Sequence, residues 1–135
     1  MSKERYSVIS KNVVHEGPVR LRIDTFSYNG KVFRKEVVEH SPSVGILPAI
    51  NKKEILLIKQ FRHAVNKYLV EIPAGKIESN ESPYDAAKRE LAEETGYTGV
   101  LKSLTRCFLP PSYDTELMHF FVAENVTKLD APKKM

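Results

Sequence analysis

Residues 82–96 carry a complete set of α-helix signals, and they constrain the fold of this chain more than any other segment. Ser82 is a good N-cap, Pro83 suits the first helical position, and Asp85 completes a variant of the capping box with Asp in place of Glu. Good helix formers follow, and Gly96 supplies a C-terminal stop. The sequence therefore predicts one clear helix.

The rest of the chain has the patterns of β-strands. Val19, Leu21 and Ile23 alternate with polar residues, as in a half-buried strand. Asn29-Gly30 is a strong hairpin signal, so residues 32–38 are predicted to return as the partner strand. Further apolar runs predict strands at 44–50, 54–61, 68–72, 100–104 and 117–123.

Length and composition set the class of protein. The 135 residues, 41% of them hydrophobic, suffice for one domain with a single core. The sequence contains no apolar run as long as a membrane span, and its N-terminus lacks the apolar segment of a signal peptide. Cys107 has no second cysteine to pair with, and its apolar surroundings predict a buried thiol. We expect a cytoplasmic protein without membrane contact.

The formal net charge of +4 is unevenly distributed. Residues 75–97 contain six acids and three bases, a net charge of −3, which leaves +7 on the remainder. A basic body with one acidic cluster suits a protein that holds both a polyanion and the cations that neutralise it. A solvated helix face would give the same asymmetry.

Three carboxylates of the predicted helix lie on one side of it, because Glu90, Glu93 and Glu94 are three and four residues apart. Like charges at this spacing destabilise a helix, and the helix dipole disfavours anions in the last turn. A cation among the carboxylates would offset both costs, and carboxylate oxygens suit Mg²⁺ or Mn²⁺. Arg89 is placed to orient one of them. The alternative is a solvated acidic face with scattered salt bridges.

The spacing around this helix is more specific than its charge. Gly75 is expected to open a turn, Glu81 follows after five residues, and after seven more comes Arg89-Glu90-Leu91-Ala92-Glu93-Glu94-Thr95-Gly96-Tyr97. This resembles the Nudix box, G-x5-E-x7-R-E-U-x-E-E-x-G-U, in which U is a bulky apolar residue. All nine constrained positions are matched.

Flanking motifs resemble the ADP-ribose pyrophosphatase branch of the Nudix hydrolases. They are Gln60-Phe61-Arg62, Glu71-Ile72-Pro73-Ala74-Gly75-Lys76-Ile77-Glu78, and a downstream loop with Pro111, Tyr113 and Glu116. The family's Ser-Pro-Gly in that loop reads Pro110-Pro111-Ser112 here, a departure that bears on substrate identity. The likeness covers residues 44–126.

The resemblance implies an α/β fold, the Nudix α/β/α sandwich with a mixed sheet and N-terminal antiparallel strands. It implies a single Nudix domain over 1–135, with dimer-contacting strands in 1–43, a core in 44–126 and a tail in 127–135. Relatives usually continue into another strand and a helix, so the C-terminal helix is expected to be absent here. Either the chain is truncated, or a partner subunit covers that face of the sheet, or the face is partly exposed. A homodimer would supply the cover.

The resemblance implies a role for each residue of this sequence that matches a functional position of the family's motifs. The resemblance assigns metal binding to Glu90, Glu93, Glu94 and the backbone carbonyl of Ala74, with Mg²⁺ as the expected metal and Mn²⁺ as the alternative. Glu116 matches the loop glutamate that acts as general base or orients the water, and Glu93 is the rival base. Arg89 completes the catalytic set.

Substrate-binding roles transfer in the same way. Arg62 matches an arginine that grips a phosphate. Phe26 and Tyr28 are candidates for an adenine platform, or for packing in a dimer interface. Pro111 belongs to the substrate loop. The four histidines share no spacing and are interpreted as structural or surface residues: His15, His40, His63 and His119.

The resemblance thus predicts Mg²⁺-dependent hydrolysis of ADP-ribose or a related nucleotide sugar to AMP and a sugar phosphate. The alternatives are another nucleoside diphosphate derivative, a nucleoside triphosphate, or a non-catalytic module that binds ADP-ribose. The expected partner is a small nucleotide rather than nucleic acid.

Overall fold

The computed structural model describes residues 5–130, which form nine β-strands, one α-helix and one short 3-10 turn at His63–Val65. The helix, α1, runs from Pro83 to Thr95. The strands are β1 (Tyr6–His15), β2 (Arg20–Tyr28), β3 (Lys31–Glu39), β4 (Ser43–Pro48), β5 (Ile58–Arg62), β6 (Lys67–Glu71), β7 (Ala74–Lys76), β8 (Tyr97–Phe108) and β9 (Leu117–Lys128). No helix in this part of the chain is long and apolar enough to cross a membrane.

The chain divides into two compact units. The first is Met1–Ser41 with Phe108–Leu117, and the second is Pro42–Cys107 with Met118–Met135. The prediction of a single domain over 1–135 stays a prediction. Of the predicted tail, residues 131–135 lie outside the described residues, whereas 127 and 128 belong to β9.

The first unit contains a three-stranded antiparallel sheet in the order β1-β2-β3. The predicted hairpin is confirmed: Tyr28 pairs with Lys31, and both loop residues have positive φ, 48° at Asn29 and 81° at Gly30. The buried residue of β2 is Asp24, on the same face as Phe26. Arg22 offsets the cost of burying this carboxylate by donating to it through Nε and Nη2, at 2.8 and 3.1 Å.

The second unit contains the helix that the sequence predicts. Ser82 Oγ accepts a hydrogen bond from the Asp85 amide at 3.0 Å. Gly96 adopts the left-handed conformation, with φ 74°, and donates from its amide to the carbonyl of Ala92. The helix contacts β4 and β7 and buries the small side chains Ala86 and Ala87 together with Leu91.

A mixed four-stranded sheet carries this helix, in the order β7-β4-β9-β8. β4 runs antiparallel to β7 and parallel to β9, so the predicted mixed sheet is confirmed. The core of the second unit is Val44, Ile46, Ala86, Ala87, Leu91, Leu101, Phe121, Ala123 and Val126.

Cys107 does not belong to this core. The thiol that the sequence predicts to be buried is exposed, because residues 102–108 of β8 are all exposed. An apolar run therefore predicted the strand correctly but not the burial of its second half.

Candidate active site

Gly75 lies in strand β7, paired with Val44, so the prediction that it opens a turn is wrong. Glycine is needed at this position for a different reason. A Cβ at this position would lie 2.1 Å from Cδ of Glu90, which means that the Glu90 carboxylate occupies the space beside the bare backbone. Any larger residue at position 75 would displace this carboxylate.

Arg89 links the carboxylates of the box. Its guanidinium donates to Glu81 through Nε and Nη2, at 2.8 and 2.9 Å, and to Glu90 through Nη1 at 2.7 Å. Nη1 also donates to Glu93 at 3.2 Å, and Nη2 donates to the backbone carbonyl of Lys76 at 3.0 Å. One planar group with five N–H donors thus connects the helix to β7 and to the loop before the helix.

These contacts shift the ionisation of the groups involved. The hydrogen bonds from Arg89 and from the Glu78 amide lower the pKa of Glu81 to about 2. The same carboxylates, Glu81 first and then Glu90, raise the pKa of Arg89. Glu81 and Arg89 therefore both stay charged throughout the neutral range.

Glu94 lies apart from Arg89 and contacts the backbone instead. Its Oε2 accepts a hydrogen bond from the Ala74 amide at 3.1 Å. Desolvation raises the pKa of the Glu94 carboxyl, the Ala74 amide lowers it, and the negative charge of Glu90 raises it further. A nearby cation would offset the two unfavourable effects.

The chemistry of these donors fits a hard divalent cation, because they are carboxylate oxygens beside a strand backbone. Within residues 5–130, however, no group of three or more His, Cys, Asp or Glu side chains converges closely enough to hold a metal ion. The observed contacts account for this, since Glu90 and Glu93 bind Arg89 while Glu94 binds Ala74.

Arg62 is paired with a carboxylate in the β5–β6 hairpin. Its Nε donates to both carboxylate oxygens of Glu71, at 3.1 and 2.7 Å, and its Nη2 donates to Oε1 at 2.6 Å. These hydrogen bonds raise the pKa of Arg62 and lower that of Glu71. The Arg62 side chain is still 46% exposed, so part of the guanidinium is open to an anion.

In the first unit, Phe26 and Pro111 line one cavity of about 280 Å³. Phe26 stacks on Phe33, with ring centroids 5.6 Å apart, and contacts Tyr6 at 5.5 Å. Tyr28 lies two residues further along the same face of β2, opposite Tyr6 and Lys31. Two of the three predicted substrate residues of this unit thus share a cavity.

Glu116 ends the loop that follows β8, also in the first unit. Its amide donates to Asp114 Oδ1 at 2.7 Å, and its carbonyl accepts from the Leu109 amide at 3.0 Å. Its carboxylate lies 3.5 Å from Nδ1 of His40. No spacing in the sequence marks His40, because 75 residues separate it from its hydrogen-bond partner Thr115.

Comparisons with known proteins support the family that the Nudix box indicates. A protein of Bacillus subtilis (strain 168) named ADP-ribose pyrophosphatase is 39% identical over 108 residues, which cover 79% of this chain and 58% of that protein. The Bacillus methanolicus methanol dehydrogenase activator is 32% identical over 127 residues, which cover 93% of this chain and 69% of that protein. The chain thus spans little more than half the length of the Bacillus subtilis relative.

The fold is also that of a solved structure, an ADP compounds hydrolase. The TM-score is 0.85 at 23% sequence identity, and the match covers all of this chain and 75% of the other. The likeness confirms the mixed α/β Nudix fold. The sequence profile of the NUDIX domain matches residues 39–134. The chain therefore belongs to the Nudix family, as its fully matched box predicts.

Proposed function

We propose that this chain catalyses the Mg²⁺-dependent hydrolysis of the diphosphate linkage of ADP-ribose or a related nucleotide sugar, giving AMP and a sugar phosphate. One observation carries the proposal: the box is complete in sequence, and three of its four acids, Glu81, Glu90 and Glu93, are assembled in space around Arg89. A structural helix face gains nothing from a glycine that makes room for a carboxylate, as Gly75 does for Glu90. The names of the ADP-ribose pyrophosphatase and ADP compounds hydrolase relatives support the same substrate class.

Nudix hydrolases use a divalent metal, and here Mg²⁺, or Mn²⁺ in its place, would be held by Glu90, Glu93, Glu94 and the carbonyl of Ala74. A bound metal would neutralise charge on the diphosphate and lower the pKa of the attacking water. Glu90 and Glu93 would have to turn from Arg89 to serve as ligands, because both now accept its hydrogen bonds. Arg89 is therefore the group that orients both carboxylates before they bind a metal.

The reaction itself is a displacement at one phosphorus. The oxygen of water forms a new P–O bond while the bridging P–O bond breaks, so that one phosphate leaves with the bridging oxygen. Glu116 is assigned as the general base that accepts the proton of the attacking water, and Glu93 is the alternative base. Glu93 is the more exposed candidate, with 59% of its side chain accessible against 17% for Glu116.

Two sets of residues are assigned to substrate binding, and each is described by itself. The open part of the Arg62 guanidinium suits a phosphate oxygen, because planar N–H donors recognise such oxygens in pairs. The cavity beside Phe26 and Pro111 presents an aromatic ring, with Tyr28 further along the strand, and so suits a base.

The same proposal includes a homodimer through the N-terminal strands. All ten residues of β1 are exposed, among them Tyr6, Val8, Ile9 and Val14, and exposed apolar edges of this kind are usually covered. Sedimentation equilibrium should give twice the 15.4 kDa mass of one chain. The mass of a single chain at micromolar concentration would contradict the proposed homodimer.

A cytoplasmic location, in agreement with the lone cysteine, belongs to the proposal as well.

A substrate panel tests the assigned class. ADP-ribose, other nucleotide sugars, a dinucleoside polyphosphate and nucleoside triphosphates are assayed with Mg²⁺ and with Mn²⁺, and nucleoside monophosphate release is measured. Nucleotide sugars are expected to give the highest kcat/KM. Faster turnover of triphosphates, or equal rates on all compounds, would contradict the assignment. Binding of ADP-ribose with Mg²⁺ but without AMP release would indicate a non-catalytic module.

A further inference from the structure

The loop that carries Glu116 is attached to strand β3 along its backbone. The Val38 amide donates to the carbonyl of Tyr113 at 2.7 Å, and the Thr115 amide donates to the carbonyl of Val38 at 3.0 Å. These bonds form a short parallel bridge between β3 and the loop at Asp114. The end of β3 therefore fixes where the loop lies.

His40, the residue that follows β3, continues this attachment through a side chain. Its amide donates to Thr115 Oγ1 at 2.9 Å, and the same hydroxyl donates to the His40 carbonyl at 3.2 Å. A single threonine hydroxyl thus satisfies both backbone groups of His40. This reciprocal pair places the imidazole beside the residue that follows Thr115, which is Glu116.

The orientation of the imidazole is set by a backbone carbonyl. Nδ1 of His40 lies 2.7 Å from the carbonyl oxygen of Ser41, and because that oxygen only accepts, Nδ1 must carry the proton. The same Nδ1 lies 3.5 Å from Oε2 of Glu116. Both side chains are largely enclosed, with 20% of the His40 and 17% of the Glu116 surface accessible. The Nδ1 proton is thus donated to Ser41, and the Glu116 carboxylate lies beside the same, electropositive edge of the ring.

Other charged groups near this pair are already engaged. A cavity of about 470 Å³ beside His40 is lined by Arg20, Arg22 and Glu39. Both arginines pair with Glu39, and Arg22 also pairs with Asp24. Asp114 accepts the Glu116 amide. His40 is the residue of this group whose ring lies beside the Glu116 carboxylate.

We propose that His40 is a positioning residue for Glu116 and fixes the direction of its carboxylate through the Nδ1–H edge. The inference rests on the function proposed above, in which Glu116 takes the proton of the attacking water. His40 acts through Glu116 and is not itself a catalytic residue. Removing its donor should therefore reduce turnover and leave substrate affinity unchanged.

The test compares two substitutions of the same side chain. His40→Leu removes the donor, whereas His40→Asn places an amide N–H close to the position of Nδ1. With ADP-ribose and Mg²⁺, His40→Leu should lower kcat by about 10- to 100-fold, the usual cost of a misplaced catalytic group, with KM unchanged. His40→Asn should restore most of the lost kcat. His15→Asn, in the same unit but outside this contact, is the matched control and should behave as wild type.

The melting temperature of each variant separates positioning from folding. If His40→Leu and His40→Asn have equal melting temperatures but different kcat values, the donor and not the ring volume is responsible. Wild-type kcat in His40→Leu, or an equal loss in both His40 variants, would overturn the inference. Full activity in Glu116→Gln would overturn it as well, because His40 would then have no base to position.

A spectroscopic measurement tests the contact between His40 and Glu116 without relying on turnover. In ¹⁵N-labelled protein, Glu116→Gln should move the Nδ1 resonance of His40 and leave that of His15 in place. If wild type released no AMP from ADP-ribose, the proposed function would fail while this resonance still reported on the contact. An unmoved His40 resonance would overturn the inference in either case.

Discussion

Glu94→Gln is expected to lower kcat for ADP-ribose hydrolysis by about 100-fold or more, the range seen when one group that stabilises transition-state charge is removed. The fold should survive, because a glutamine amide oxygen can still accept the hydrogen bond from the Ala74 amide. The change also removes a desolvated carboxylate that the charge of Glu90 disfavours. The melting temperature without metal should therefore be equal to that of wild type or higher.

Steady-state kinetics and a thermal shift with added Mg²⁺ check this prediction. Mg²⁺ should raise the melting temperature of wild type and raise that of the variant much less. Glu124→Gln removes an equal charge from an exposed pair with Lys102 and serves as the control, with activity near wild type. Normal turnover by Glu94→Gln would show that the metal assignment is wrong.

Arg89→Met is expected to destabilise the protein and to impair catalysis together. Methionine keeps most of the aliphatic stem but removes the donors to Glu81, Glu90, Glu93 and the Lys76 carbonyl. Charged hydrogen bonds of this kind are worth about 2 kcal/mol each, and hydration of the released acids recovers part of the total. We expect a net loss of about 2 kcal/mol and a fall of roughly 8 °C in melting temperature. Misoriented carboxylates should lower activity by about 10- to 100-fold.

The dependence of folding stability on pH should report directly on the ion pair between Arg89 and Glu81. The pKa of Glu81 is lowered from 4.5 to about 2 by Arg89, so this pair stabilises the folded state above pH 4.5 and loses its effect as the pH falls towards 2. Urea unfolding of wild type should therefore show a steeper loss of stability over this range than Arg89→Met. Lys88→Met, an exposed neighbour with the same change in charge, should keep the wild-type slope. Equal slopes in all three proteins would contradict the role of Arg89.

The helix was predictable to within one residue because its signals are local. Ser82 and Gly96 act through hydrogen bonds to residues three and four positions away, so the sequence contains both partners. The hairpin at Asn29 is local in the same sense, because its turn requires positive φ at two adjacent residues. The box adds a fixed spacing that identifies the family.

Features that depend on distant partners were not predictable. β1 has ten exposed residues and so lacks the alternation that marks a half-buried strand. The role of Gly75 depends on the Glu90 carboxylate, fifteen residues further along the chain. His40 meets its partner Thr115 across 75 residues, and no periodicity within either segment encodes that meeting. Arg62 is a similar case, because its pairing with Glu71 follows from the register of β5 and β6.

We propose that this Nudix chain cleaves the diphosphate of ADP-ribose with a divalent metal, and product analysis tests this directly. Purified protein should be incubated with ADP-ribose and Mg²⁺, and the products should be separated by anion-exchange chromatography and identified by mass. We expect AMP and ribose 5-phosphate in equal amounts, no product with excess EDTA, and recovery when Mg²⁺ is restored. Intact ADP-ribose after incubation with Mg²⁺, or its cleavage to ADP and ribose, would contradict it.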